Sequence, residues 1–115
     1  MNWTVIFHYE FEPEFDSLPT EVQNKLLANA ALLEEFGSTL SRPRVDTLKG
    51  SKYPNMKELR FNADGGVWRV AFAFDPQRQA VLLIAGDKSS VNQKRFYRNL
   101  IRIAEQRFSD YLENL

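Results

Sequence analysis

Arg60 and Arg69 flank the segment Ala63-Asp64-Gly65-Gly66. An Asp-Gly centre between two runs of aromatic and β-branched residues is the signature of a two-residue type I′ hairpin. With Asp64 and Gly65 as the turn, Asn62 faces Val67, Phe61 faces Trp68, and Arg60 faces Arg69 across the ladder. Like charges directly opposed on neighbouring strands are destabilising, so the pair asks for an anion. Guanidinium forks bind phosphate oxygens bidentately, and the small Ala71 beside Arg69 leaves room for a ligand on that face. The plainer alternative is that Glu58, on the same face as Arg60, merely neutralises two surface arginines.

Lys57 lies on the same strand as Arg60, and Lys88 follows the next apolar run, so both are expected to converge with the arginines on one end of a sheet. Clustered cations lower a lysine's affinity for its proton and suit it to acid or base work near neutrality. Tyr97 is a further proton donor, or else a core aromatic with its hydroxyl at the rim. Lys94, Arg98 and Arg102 recur at i, i+4 and i+8 with Arg95 beside them, and Lys49 and Lys52 precede them in a basic loop. Such a stripe can follow a nucleic-acid backbone or dock an acidic partner; it can equally be a solvated helix face. His8 is the only histidine and there is no cysteine, so no spaced His/Cys metal site is expected and His8 reads as structural. Neither Ala63–Gly66 nor Ala85–Ser89 matches a P-loop or a dinucleotide fingerprint.

The elements that must position these groups follow from periodicity. Residues 3–8 read as a strand, and 10–18 hold a short helix before Pro19. Thr20-Glu21-Val22-Gln23 has the form of a capping box, opening a helix whose Val22, Leu26, Ala30, Leu33 and Phe36 recur at helical spacing until Gly37 stops it. Residues 38–53 read as an irregular basic loop, weakly ordered at 45–48. In the second hairpin strand Trp68, Val70, Phe72 and Phe74 form a core face, and Arg69, Ala71 and Ala73 the other. Ala80–Ala85, apolar without alternation, reads as an inner strand buried on both faces. Ser90-Val91-Asn92-Gln93 repeats the capping pattern ahead of a last helix with a broad apolar stripe. The order β-α-α-β-β-β-α predicts one α+β domain over residues 1–115: an antiparallel-rich sheet with two N-terminal helices and one C-terminal helix, packed on one side.

A formal net charge of +0 argues against a nucleic-acid partner only until its distribution is read. Residues 1–36 carry seven acidic groups against Lys25, whereas residues 42–60 and 86–102 each balance at +4. No apolar run approaches a membrane span, and the N-terminus lacks a signal-peptide layout, so a cytoplasmic location is expected and no membrane association.

Taken in order, Leu48-Lys49-Gly50, Lys57-Glu58-Leu59-Arg60, Trp68-Arg69-Val70-Ala71-Phe72, Gly86-Asp87-Lys88 and Lys94-Arg95-Phe96-Tyr97 span nearly the whole chain. This pattern resembles the RelE/ParE superfamily of toxins, most closely its phage-derived HigB-like branch. The resemblance implies a RelE-like fold and the toxin of a type II toxin–antitoxin system. Ribonuclease members cut mRNA in the ribosomal A site and are blocked by an antitoxin, often a helix-turn-helix protein; the partners implied are therefore mRNA, the ribosome and that antitoxin.

Carried onto this sequence, Arg60 and Arg69 would hold the scissile phosphate, Lys57 would help position it, and Lys88 or Tyr97 would protonate the leaving 5′ oxygen. Lys49, Lys52, Lys94, Arg95, Arg98 and Arg102 would bind RNA. The RNA's own 2′-hydroxyl would be the nucleophile, so neither a metal nor a cofactor is implied. Two departures matter: relatives with active-site histidines leave the base here to Lys57, Glu58 or another group, and Gly86-Asp87-Lys88-Ser89 differs from the branch's Phe-x-Lys-Lys form. A gyrase-poisoning toxin of the ParE kind and a non-catalytic phage-derived RNA-binding adaptor are the alternatives on the same pattern.

Overall fold

Asp64 and Gly65 both adopt positive φ, 51° and 73°, the pair of left-handed residues that a type I′ turn requires. The structure, a computed structural model describing residues 2–115, builds outward from this turn. Strand β3 (Met56–Ala63) pairs antiparallel with β4 (Gly66–Phe74), with Asn62 opposite Val67, Phe61 opposite Trp68, and Arg60 opposite Arg69, the register expected from sequence. The chain then returns as β5 (Gln79–Asp87), antiparallel to β4 with a bulge beside Ala71 and Phe72. Strand β1 (Thr4–Phe7) lies parallel to the first half of β5.

A fifth strand, β2 (Val45–Thr47), pairs antiparallel with β3 and closes the sheet in the order β1-β5-β4-β3-β2. Sequence periodicity registered it only as weak order, because three residues are too few to show alternation. Its placement converts part of the expected loop into one wall of the cleft described below.

Both faces of the sheet are covered, which corrects the expectation of helices on one side. Helices α1 (Phe11–Asp16) and α2 (Thr20–Phe36) cover the face formed by Val45, Leu59, Val70, Phe72 and Leu82. Helix α3 (Gln93–Glu113) covers the opposite face, packing Leu100, Ala104 and Phe108 on Met56, Ala71, Ala73, Val81 and Leu83. Small residues on this face therefore make room for a helix, and Ala71 is fully buried beneath it rather than open to a ligand. The same logic continues at Gly86, where a Cβ would come within 2.9 Å of the Phe96 ring. Each fully buried Leu, Val or Phe contributes roughly 1.5–3 kcal/mol, so Phe72, at 0% exposure in the middle of the sheet, is a position where truncation to alanine would cost about 3–5 kcal/mol.

Neither capping box forms as read from sequence. Pro19 precedes α2, Thr20 is already helical, and no side chain caps the end; Gln23 instead donates to the Leu18 and Asp16 carbonyls at 2.9 and 3.2 Å. At α3 the cap is Asn92, whose Oδ1 accepts the Arg95 N–H at 3.0 Å, and not Ser90. Gly37 does end α2, at φ 54°, and its missing Cβ admits the Trp3 indole. Val22, Leu26, Ala30 and Leu33 are buried as expected, but Phe36, assigned to that stripe, is 46% exposed.

Candidate active site

Register and helix packing together decide which polar side chains meet. Glu58 and Arg60 leave β3 on the face covered by α3, and Arg69 leaves β4 on the same face. The N-terminal half of α3 crosses there, held close by the small residues beneath it, and delivers Tyr97. Lys88 arrives from the end of β5, where its N–H donates to the Val67 carbonyl at 2.9 Å. The Asp87 carboxylate fixes this corner by accepting the Val67 and Ser89 N–H groups at 3.0 and 2.9 Å. Burial pushes the Asp87 carboxyl up, but these donors outweigh it and hold it below the usual range.

The result is a cleft of about 630 Å³ whose walls include Thr47, Lys49, Glu58, Arg60, Lys88 and Tyr97. Arg60 and Arg69 stand side by side with the Glu58 carboxylate between them, 3.9 Å from the Arg60 Nε and 3.8 Å from the Arg69 Nε. These are ion-pair separations, too long for hydrogen bonds. Glu58 Oε1 and Arg60 Nε are buried without a hydrogen-bond partner, so one carboxylate stands against two guanidinium groups with hydrogen-bonding capacity unspent. Arg69 is steadied by donating to the Trp68 carbonyl at 2.9 Å and to the Tyr97 hydroxyl at 3.3 Å.

The electrostatics separate the groups into opposite roles. Burial pushes the Glu58 carboxyl above the usual carboxylate range, against the downward pull of the Tyr97 hydroxyl and of Arg69, Arg60 and Lys88. Burial and the neighbouring Arg69 charge lower Lys88, making its ammonium a stronger acid. Burial raises the Tyr97 phenol despite the Arg69 hydrogen bond, so it stays protonated. A carboxylate made more basic beside an ammonium made more acidic is the pairing that acid–base catalysis needs. The two guanidinium groups, in excess over Glu58, supply a receptor for an anion beside it.

Arg60, Arg69, Lys88 and Tyr97 thus come together as the sequence suggested, and Lys57 does not. Lys57 stands opposite Phe72 on the other face of the sheet, because residues three apart on a strand point in opposite directions; its Nζ donates to Thr47 Oγ1 at 3.2 Å. The anticipated convergence of Lys57 on the cluster is therefore corrected. Lys49 and Lys94 line the cleft. Arg98 and Arg102 continue the exposed stripe along α3 away from it, and Arg95 turns to the other side of the helix beside Ile84 and Val91. Lys52 sits over the Tyr53 ring, 5.4 Å from its centroid, while its backbone N–H binds Glu105. Lys52 and Arg95 lie apart from the cleft walls. Glu58, which the sequence offers both as a neutraliser and as a candidate base, is the group on which the two arginines are organised. Asp46 was hidden by the brevity of β2; its carboxylate faces Arg60 at 3.9 Å, and the Thr47 N–H and the Arg42 guanidinium hold it below the usual range.

Among the described residues, His8, Glu10 and Asp110 bring potential metal-ligand atoms within 4.8 Å of one another. His8 Nδ1 accepts the Glu10 N–H at 3.1 Å, which places the proton of the neutral imidazole on Nε2, facing Asp110 at 3.5 Å. A metal would need the lone pair at that same nitrogen, so the cluster is built as a His–Asp contact rather than a ligand set.

A profile of the family described as phage-derived protein Gp49-like (DUF891) matches residues 13–109. The chain is 44% identical over 108 residues to the putative toxin HigB3 of Mycobacterium tuberculosis, covering 94% of this chain and 92% of that one. It is 40% identical over 98 residues to the putative toxin HigB2 of the same organism, covering 84% of this chain and 48% of that longer protein. Among solved structures, a free-state variant of the E. coli toxin RelE superposes with a TM-score of 0.67 at 14% identity, over 93% of this chain and 98% of that one. The RelE of an archaeal RelE–RelB complex from Pyrococcus horikoshii superposes with a TM-score of 0.55 at 20% identity, over 79% of this chain and 100% of that one. At these identities the structural matches speak to the fold alone.

Proposed function

Because the chain belongs to the phage-derived Gp49-like family, whose curated relatives are described as HigB toxins, we propose that it is the toxin of a type II toxin–antitoxin pair and an mRNA endoribonuclease. One observation carries the catalytic part of this reading. Arg60 and Arg69 flank a buried Glu58 whose carboxyl is raised, and a lowered Lys88 stands with Tyr97 at the same cleft.

In the proposed reaction the arginines bind the non-bridging oxygens of the scissile phosphate and stabilise the charge that builds on them in the transition state. Glu58 accepts the proton of the adjacent ribose 2′-hydroxyl, and the freed oxygen attacks phosphorus. The bond from phosphorus to the 5′ oxygen breaks as Lys88 transfers a proton to that oxygen, leaving a 2′,3′-cyclic phosphate and a 5′-hydroxyl. Tyr97 stays neutral and aligns Arg69 and Lys88. Of the two bases the sequence offers by name, this assignment takes Glu58, since Lys57 lies on the opposite face. All bonds made and broken belong to the RNA and these side chains, so the scheme calls for no metal or cofactor.

Translating ribosomes are the proposed setting and a cognate antitoxin the proposed partner, in line with the antitoxin RelB bound to the archaeal RelE named above. The deciding experiment is inducible expression of the wild type beside a folded Arg60→Ala/Arg69→Ala variant, following growth and mapping mRNA 5′ ends. New cuts with the wild type alone support the reading. Growth arrest with DNA breaks and no cuts would make gyrase the target, and absence of both would leave a binding protein.

A further inference from the structure

The Arg60 N–H donates to the Arg44 carbonyl at 2.8 Å, which continues the β2–β3 ladder one step past the Val45–Leu59 pair. Arg44, Arg60 and Arg69 therefore form a row across three neighbouring chain segments, each step about 4.8 Å. Just beyond Arg44 the chain turns back through Pro43 and Arg42 towards the end of α2. A groove of about 260 Å³ opens there, lined by Phe36, Leu40, Arg42 and Arg44 among others. Phe36, the last residue of α2, belongs to neither hydrophobic cluster and is 46% exposed; Leu27 on the same helix is exposed to the same degree, but Phe36 is the one that lies in a groove with arginines. The Asp46 carboxylate joins this groove to the cleft, binding Arg42 at 2.9 and 3.1 Å and facing Arg60 at 3.9 Å.

An exposed aromatic ring flanked by two arginines, in line with a receptor for a phosphate, is the arrangement that single-stranded nucleic acid uses: bases stack on the ring and the backbone follows the cations. We propose that the groove at Phe36 is a nucleotide subsite next to the scissile phosphate, with a base on the Phe36 ring and its phosphate on Arg44 and Arg42. The proposal rests on the ribonuclease reading and adds to it a path for the substrate. RNA crosses the strands from Phe36 and Arg44, over Arg60 and Arg69, and leaves past Lys88 and Lys94, which line the far wall.

The test uses the full chain carrying Glu58→Gln to prevent cleavage. Binding of a fluorescent seven-nucleotide oligoadenylate is compared with that of the same strand bearing one abasic nucleotide at each position in turn. The parent should bind the intact strand more tightly than one of the abasic strands. Phe36→Leu, which keeps an exposed apolar side chain but removes the ring, should bind the intact strand on the order of tenfold more weakly and lose that discrimination. Phe36→Trp should restore both. Arg44→Ala should reduce the slope of log affinity against log salt by about one. If Phe36→Leu binds as the parent does while Arg69→Ala weakens binding, RNA takes another path and the subsite is disproved with the nuclease reading intact. If the parent binds no strand, the subsite is disproved, and the nuclease reading is decided separately by the mRNA 5′ ends mapped during expression.

Discussion

The Tyr97 hydroxyl receives the Arg69 Nε at 3.3 Å and the Lys88 Nζ at 3.5 Å, so one phenol oxygen links the phosphate receptor to the proposed acid. With its lone pairs engaged by cations, the hydroxyl's own proton is left to face the remaining neighbour, Glu58.

Tyr97→Phe keeps the ring that packs on this face and removes that link. Arg69 would then lose its Nε partner while Lys88 keeps only the ring face, 5.3 Å from its nitrogen. We expect cleavage to fall about 10- to 100-fold, with the loss in kcat rather than KM. Single-turnover kinetics on programmed ribosomes would check it, and an unchanged kcat would remove Tyr97 from the mechanism.

Glu58→Gln should separate activity from stability. The folded-state Glu58 carboxyl is raised, chiefly by burial. Its contribution to stability is therefore fully present below the ordinary carboxylate range and is lost as pH rises through the raised value. At neutral pH the ionised side chain is a net burden on the unliganded fold, and glutamine mimics the protonated form without that burden. The variant should melt no lower than the wild type at pH 7 yet lose at least about 100-fold in cleavage. A lower melting temperature with activity intact would make Glu58 a structural counter-ion and nothing more.

A bell-shaped pH dependence of kcat/KM follows from the same two groups. The rising limb reports Glu58 losing its proton, at a pH above that of an ordinary glutamate; the falling limb reports Lys88 losing its own, below that of an ordinary lysine. Lys88→Arg keeps the charge but cannot release a proton in this range. It should abolish the falling limb and lower the plateau, whereas a limb that stays in place would assign the acid to another group.

The arginine pair was legible from sequence because one dipeptide, Asp64-Gly65, fixes a turn and the turn fixes the register of every residue beyond it. Tyr97 and Lys88 were legible as types, but their meeting depends on how closely α3 approaches, which Ala71, Ala73 and Gly86 decide from the opposite layer. Ala71 alone suggests space for a ligand on that face, and the helix fills it. Lys57 shares a strand with Arg60 but not a face, since the two-residue strand period turns it to the side of Leu59 and Phe72. Asp46 and Arg44 were obscured because pairing with β3, and not local propensity, holds so short a strand in place. The caps failed for a related reason: Pro19 and Asn92 each sit where the chain already has the geometry that a Thr or Ser cap would have to impose.

Away from the cleft, Asp75 offers a test of how the sheet and α3 are locked together. Its carboxylate accepts the Gln77 and Gln79 N–H groups at 2.9 and 2.8 Å in the β4–β5 turn and the Tyr111 hydroxyl at 2.6 Å from α3. Burial pushes this carboxyl up, but the Tyr111 and Gln79 donors outweigh it and hold it below the usual range. Its stabilising contribution is thus present above the ordinary carboxylate range and is lost as pH falls through the lowered value. Tyr111→Phe should cost about 1–2 kcal/mol and Asp75→Ala, which also strips the turn of its acceptor, about 2–3 kcal/mol near neutral pH. Urea unfolding at a series of pH values would check both. The deficit of Asp75→Ala should shrink as the pH is lowered into the range where the wild-type carboxylate takes up its proton, while cleavage at neutral pH by the folded fraction stays at the wild-type level. A deficit that did not change with pH would mean that Asp75 acts through packing alone.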